Sequence, residues 1–199
     1  LELKIKQQTK KLNDQFMLLQ KQAEQLKNSK QNVIDILGTV VEYRNLESGE
    51  HIKRVKSYTQ ILATQIMHDY PEYNLTKEKI DVIVSASALH DIGKIAIPDS
   101  ILMKPGKLTP DEYDFMKSHT TRGCEILENI ENAWYAEYAR ISYEICRHHH
   151  ERYDGNGYPD KLKEEEIPIS AQIVSLADVY DALVNERVYK NAFSKEKAF

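Results

Sequence analysis

Imidazoles and carboxylates recur in this sequence at places where they could act together. His90 and Asp91 are adjacent at the end of an apolar run, and His149 and His150 are adjacent just ahead of Glu151. His51 and His119 stand alone. Asp178 interrupts the apolar run Ile173, Val174, Leu176, Ala177, where an unpaired carboxylate would be costly. A lone histidine on an apolar face is ordinarily a hydrogen-bonded core residue. A set of histidines with aspartates at the ends of several apolar segments reads differently, because imidazole and carboxylate donors together suit iron, manganese or zinc. Glu47 and His51 are four apart, so on one helix both project from the same face and could join that set. Alone, the pair reads as a polar helix-cap region around Gly49. His148 extends the histidine pair to three and is taken as the non-ligand member.

The elements that must position these groups all read as helices. Ile5, Leu12, Leu19, Leu26, Val33 and Val40 recur every seven residues, interleaved with Thr9, Phe16, Ala23, Lys30 and Leu37. A seam of about five heptads would drift off the face of a straight helix, which favours a parallel coiled coil of two copies over one amphipathic helix packed on the body. Further helical stripes run through Val55, Tyr58, Ile61, Leu62 and Ile66, ending near Pro71, and from Ile80 to Leu89 with Thr76 ahead. Pro110-Asp111-Glu112 reads as a helix start. Helices are expected over Glu112–Ser118, Gly123–Asn129, Ala133–His148 and Ala171–Asn185, with a Gly/Pro-bearing loop from Asp154 to Pro168. Nothing alternates cleanly enough for a sheet. The expected fold is all-α, a helical bundle preceded by a long N-terminal coiled-coil helix, with residues 1–38 as the signalling and dimerisation helix and 39–199 as the body.

Composition narrows the possibilities. Seven Gly and six Pro are few for 199 residues and disfavour an all-β sandwich or barrel. No apolar stretch approaches the ~20 residues of a membrane helix. Cys124 and Cys146 show no paired metal spacing and read as reduced thiols of a cytoplasmic protein. Residues 1–31 hold seven Lys against three acids (+4), and the rest hold 20 basic against 28 acidic residues (−8). A nucleic-acid groove would want a basic body, so DNA is not expected as a partner. An anion bound by this body needs local cations, and metal ions would supply them. The chain begins at Leu1 inside the heptad pattern, which reads as an excerpt of a longer protein.

His90-Asp91-Ile92-Gly93-Lys94, then Ile97-Pro98-Asp99, Lys104-Pro105-Gly106, His149-His150-Glu151, Tyr153-Asp154-Gly155 and Gly157-Tyr158-Pro159 resemble the HD-GYP family. This branch of the HD metal-dependent phosphohydrolases degrades the bacterial second messenger cyclic di-GMP. The resemblance runs from about Tyr43 to Ala192. His68-Asp69, a bare pair running into Tyr70-Pro71, reads instead as a surface helix end. The resemblance implies that Glu47, His51, His90, Asp91, His119, His149, His150 and Asp178 are metal ligands, with Asp91 bridging. It further implies two or three divalent ions, iron or manganese foremost, and His90, Asp91 and Lys94 as the catalytic set. Lys94 would contact a substrate phosphate. Arg187 and Lys190 would hold the far phosphate and guanine side, and Gly157 and Tyr158 the substrate from their loop. Lys161 and Glu164 stand where the family often has glycine, so that segment is expected to turn differently. The chain stops at Phe199, where members usually continue into a further helix.

The expected function is a cyclic di-GMP phosphodiesterase giving linear pGpG, with further cleavage to GMP left open. An upstream sensor or receiver domain would drive it, and a homodimer would form through the leader. The alternatives are a catalytically inactive receptor for the dinucleotide or a partner, and an HD hydrolase of another nucleotide. The Gly-Tyr-Pro loop weighs against an alarmone and leaves mixed cyclic dinucleotides open.

Overall fold

The computed structural model describes residues 2–44, 50–129 and 135–185. Eight α-helices are described: α1 (Glu2–Arg44), α2 (Glu50–Asp69), α3 (Lys77–Ala86), α4 (Asp99–Leu102), α5 (Pro110–Lys117), α6 (His119–Asn129), α7 (Ala136–His148) and α8 (Ile169–Val184). Short 3-10 turns at Ser87–Leu89 and Ile92–Ala96 lie between α3 and α4. There is no strand among the described residues. The fold is all-α, as the periodicity predicts, and no described helix is long and apolar enough to cross a membrane.

The chain divides into two compact units, residues 1–34 and 35–199. The first is helical, and its heptad positions Ile5, Leu12, Leu19, Leu26 and Val33 are exposed in the single chain. The second carries the core. Ile80 and Ile83 of α3, Ile141 and Ile145 of α7 and Ile173 of α8 are almost fully buried. Each such side chain removed from water contributes roughly 1.5–3 kcal/mol. α2 packs on α3 and α8, and α7 packs on α3, α6 and α8.

Local chemistry sets the helix ends. Thr76 caps α3 by accepting from the Lys79 N–H. At α5, Thr109 and Glu112 form a reciprocal capping box ahead of Pro110, and Lys104 Nζ holds the Glu112 carboxylate at 2.5 and 2.7 Å. α6 begins at His119 rather than Gly123. The sequence reading missed this first turn because its threonines and arginine carry no apolar stripe.

Two close approaches bring segments from far apart in the chain onto one another. A Cβ at Gly93 would lie 1.8 Å from the His119 carbonyl oxygen, so only glycine lets the Ile92–Ala96 turn rest on the start of α6. A Cβ at Gly38 would lie 2.4 Å from the Ala88 carbonyl oxygen, so within the second unit the last turns of α1 rest against the turn that precedes His90. At 161 and 164, where the missing glycines were expected to change the path, Lys161 (φ 58°) and Glu164 (φ 53°) take the left-handed conformation glycine favours.

Candidate metal centre

The helix ends deliver their polar groups to one buried place. His51 comes from the first turn of α2, His90 and Asp91 from between the two 3-10 turns, and His119 from the start of α6. His149 and His150 come from the end of α7, and Asp178 from α8. His51, His90, His119 and His149 are each at most 2% exposed. Asp91 lies at the centre. Its Oδ2 is 3.1 Å from His90 Nε2, and its Oδ1 is 3.2 Å from His119 Nε2 and 3.7 Å from His149 Nε2. Asp91, His119, His149 and His150 form one group with donor atoms within 4.8 Å of one another; Glu42, His51 and His90 form a second. Asp178 Oδ1 stands 3.7 Å from His51 Nε2. Every expected ligand among the described residues is therefore in the cluster. Glu47, Arg187 and Lys190 lie outside the described residues.

The imidazoles are aimed by their other nitrogen. His90 Nδ1 is 2.8 Å from the Ser87 carbonyl, His119 Nδ1 is 2.8 Å from the Met116 carbonyl, and His149 Nδ1 is 3.1 Å from both the Ile145 and Cys146 carbonyls. A carbonyl only accepts, so each Nδ1 carries the proton and donates it. In the neutral ring the lone pair is then on Nε2, facing Asp91. His51 Nδ1 pairs with Asp181 Oδ2 at 2.8 Å, and Arg54 grips the same carboxylate at 2.6 and 2.9 Å. Burial pushes the Asp181 carboxyl up, but the bonds from His51 and Arg54 bring it below its ordinary value.

This geometry passes a test for cation binding. His119 Nε2 and His149 Nε2 face each other at 3.5 Å beside a carboxylate, an arrangement of acceptors that a cation would satisfy. Glu42 is 1% exposed and neither of its oxygens has a hydrogen-bond partner; Asp91 Oδ1 and His90 Nε2 are likewise buried without one. Unpaired buried polar atoms are rare and costly. Desolvation lifts the Glu42 carboxyl to about 7. His119 is lowered to about 4 and His150 well below its ordinary value, both chiefly by burial. Against its own burial, the Asp91 charge lifts His90 to about 9. Nitrogen and carboxylate donors in this mixture suit divalent iron, manganese or zinc.

Glu42 and Asp181 are the functional candidates that sequence reasoning missed. The signal for Glu42 was present: it follows Val40-Val41, an apolar context like the one that singled out Asp178. Asp181 is one turn beyond Asp178 on the same helix.

Lys94 projects into the cluster, its Nζ 2.5 Å from Asp91 Oδ2. The turn that carries it is tied to the end of α1 by Arg44, which donates to the carbonyls of Lys94, Ile95 and Ile97 at 3.3, 2.7 and 3.0 Å and to Asp99 at 2.6 Å. Tyr158, with Gly157 before it, covers the cluster from the loop after α7. Its ring centroid is 4.8 Å from that of His150, and its N–H donates to the His150 carbonyl. Glu151 holds this loop by accepting the Asp160 and Leu162 N–H groups at 2.7 and 3.1 Å. A third group, His148, Glu151 and Asp160, differs from the other two. Glu151 is occupied by those N–H groups and Asp160 by both arms of Arg147, so these carboxylates are satisfied within the protein.

Helical bundle and buried His/Asp cluster together define an HD domain. The chain belongs to that family, whose sequence model, described as HD domain, matches residues 55–199, and within it to the HD-GYP branch. It is 42% identical over 177 residues to a cyclic di-GMP phosphodiesterase of Vibrio cholerae, covering 87% of this chain and 36% of that protein. To a cyclic di-GMP phosphodiesterase of Thermotoga maritima it is 42% identical over 194 residues, covering 96% and 50%. To the 3'3'-cGAMP-specific phosphodiesterase 2 of V. cholerae it is 40% identical over 172 residues, covering 86% and 31%. A crystal structure of a cyclic GMP-AMP specific phosphodiesterase of V. cholerae shares the fold, with a TM-score of 0.54 at 16% identity over 77% of this chain and 40% of that one. The chain spans half or less of the length of these curated relatives.

Proposed function

We propose that this chain is a metal-dependent phosphodiesterase that opens cyclic di-GMP to linear pGpG. The observation that carries the reading is the convergence of Nε2 lone pairs and unpartnered carboxylate oxygens around Asp91, with Lys94 at the same carboxylate. His51, His90, Asp91, His119, His149, His150 and Asp178 would hold two or three divalent ions, iron or manganese. Glu42 joins them as a ligand on the His51–His90 side, and Glu47 is retained from the sequence motif. When bound, such ions neutralise phosphate charge and make water a nucleophile near neutral pH.

The protein's own groups do the rest. The carbonyls behind His90, His119 and His149 keep their Nδ1 protons in place and so keep the Nε2 atoms available. Asp181 does the same for His51. Lys94 exchanges its bond to Asp91 for a non-bridging phosphate oxygen, placing a cation on the diester inside an otherwise acidic body. Tyr158 shields the cluster from bulk water on the His150 side, with Gly157 shaping the loop. Arg187 and Lys190 are proposed for the far phosphate and the guanine. The leader, residues 1–38, is proposed to join two copies as a parallel coiled coil and to carry a signal from a sensor or receiver domain to the body, residues 39–199.

A second reading, a mixed cyclic GMP-AMP substrate, is favoured by the 40% identity to a cGAMP-specific relative. Anaerobic assay of the iron- or manganese-loaded protein with each dinucleotide, with product analysis, separates the two. The His90→Ala, Asp91→Ala double variant should stay helical while losing metal and turnover. Retained turnover in that variant, or no linear product from the loaded wild type, overturns the assignment.

A further inference from the structure

Beyond the cluster, one turn of α5 places a cation and an aromatic ring beside the Tyr158 ring of the loop after α7. Tyr113 and Lys117 are four apart on α5 and share a face. Lys117 Nζ lies 5.3 Å from the centre of the Tyr113 ring and 5.9 Å from that of Tyr158. The Tyr158 ring in turn lies 4.8 Å from His150 and 6.4 Å from His119. Lys117, Tyr113 and Tyr158 therefore form a rim one side chain outward from the metal ligands. Tyr113 is half exposed and Lys117 about one-third. Lys117 pairs with Asp114 at 2.5 Å, and the Asp114 side chain is 69% exposed. Exposed pairs of this kind contribute little and are readily exchanged.

Such a rim has a definite chemical complement. A tyrosine ring open to solvent offers a stacking face, and every nucleobase has a π-face to meet it. An ammonium beside that ring donates only. Guanine presents two acceptors, O6 and N7, on one edge, whereas adenine presents an acceptor and an amino donor there. A lysine so placed matches guanine at both positions and adenine at one.

We infer that Tyr113, Lys117 and Tyr158 form a nucleobase subsite that stacks one purine of the substrate and selects guanine over adenine through Lys117. The inference rests on the proposed dinucleotide substrate and deepens it: the reading places phosphate at Lys94, and this subsite says what holds a base.

The test compares the metal-loaded wild type with Lys117→Met, which keeps the aliphatic stem, Lys117→Arg, which keeps the charge, and Tyr113→Ala. Affinity for cyclic di-GMP and for 3'3'-cGAMP is measured by calorimetry. Turnover is measured with both and with bis(p-nitrophenyl) phosphate, a diester with no base. Metal content is measured on every sample. For Lys117→Met and Tyr113→Ala, cyclic di-GMP affinity should fall on the order of tenfold, the scale of one base–aromatic contact, with metal content at the wild-type value. The fall in kcat/KM should be greater for cyclic di-GMP than for bis(p-nitrophenyl) phosphate by a similar factor and appear in KM. Lys117→Arg should restore most of it. Lys117→Met should also narrow the preference between the two dinucleotides. Unchanged dinucleotide affinity, or an equal loss with the baseless diester, overturns the subsite while leaving the phosphodiesterase reading intact. A wild type that neither binds nor cleaves a cyclic dinucleotide overturns both.

Discussion

Glu42→Gln isolates the burden that an unpartnered buried carboxylate places on the fold. The Glu42 carboxyl is raised from 4.5 to about 7 by desolvation, and neither of its oxygens has a hydrogen-bond partner. A raised carboxyl means that the native state binds a proton more tightly than the unfolded state. Stability from this group is therefore fully present below about 4.5 and is lost as pH rises through about 7. At about 1.36 kcal/mol per tenfold change, the whole effect is on the order of 3 kcal/mol, most of it lost between pH 5 and pH 8. Glutamine mimics the protonated acid and does not titrate. Urea unfolding of chelator-treated protein should therefore show the variant gaining on the wild type by about 2–3 kcal/mol between pH 5 and pH 8. Manganese should reverse the order at pH 8, because a ligand that binds only the native state stabilises the chain that binds it more tightly. A wild-type–variant difference that stays flat with pH refutes the unpaired buried carboxylate. A gain at pH 8 that survives manganese refutes Glu42 as a ligand.

Other perturbations test the supports. Asp181→Asn removes the charge that orients His51 and should weaken metal binding about 10–100-fold in a chelator competition, the usual scale for a group behind a ligand; unchanged affinity contradicts the role. Gly93→Ala forces a methyl into the His119 carbonyl and should destabilise by about 3 kcal/mol or more. On a domain of this size that lowers the melting temperature by at least ~6 °C. Lys161→Gly and Glu164→Gly should each stabilise by about 0.5–1 kcal/mol in denaturant titration, by relieving left-handed backbone; destabilisation would show that their side chains contribute more than the strain costs.

The helical architecture was legible because helices announce themselves through spacing. The stripe from Ile80 to Ala88, the Thr76 cap and the Pro110 start all fell where the backbone put them, apart from the shift to 3-10 geometry after Ala86. The adjacent pairs His90-Asp91 and His149-His150 were legible for a different reason: two ligand types side by side at a helix end are uncommon. Asp178 was found by asking what a carboxylate does in an apolar run. Glu42 has the same apolar context after Val40-Val41, but Glu47 stands out more because its four-residue spacing to His51 is visible on one helix. Glu42 meets His51 and His90 only through tertiary packing, which no local period reports. Lys117 and Tyr113 escaped for the same reason. Their partner Tyr158 is forty-one positions after Lys117 and forty-five after Tyr113, and α5 alone looks like an ordinary solvated helix.

The Nδ1 bonds of His90, His119 and His149 have a consequence for how such a cavity tolerates change. In each case the anchoring carbonyl is only three or four residues upstream on the same stretch of chain. Each ring is thus splinted by nearby backbone of its own segment, so its heading is set locally rather than by the neighbouring helices. Sliding α6 against α7 would carry a nitrogen sideways without swivelling it. The gap between donors can then be retuned by substitutions at helix–helix contacts alone, leaving the donors themselves untouched.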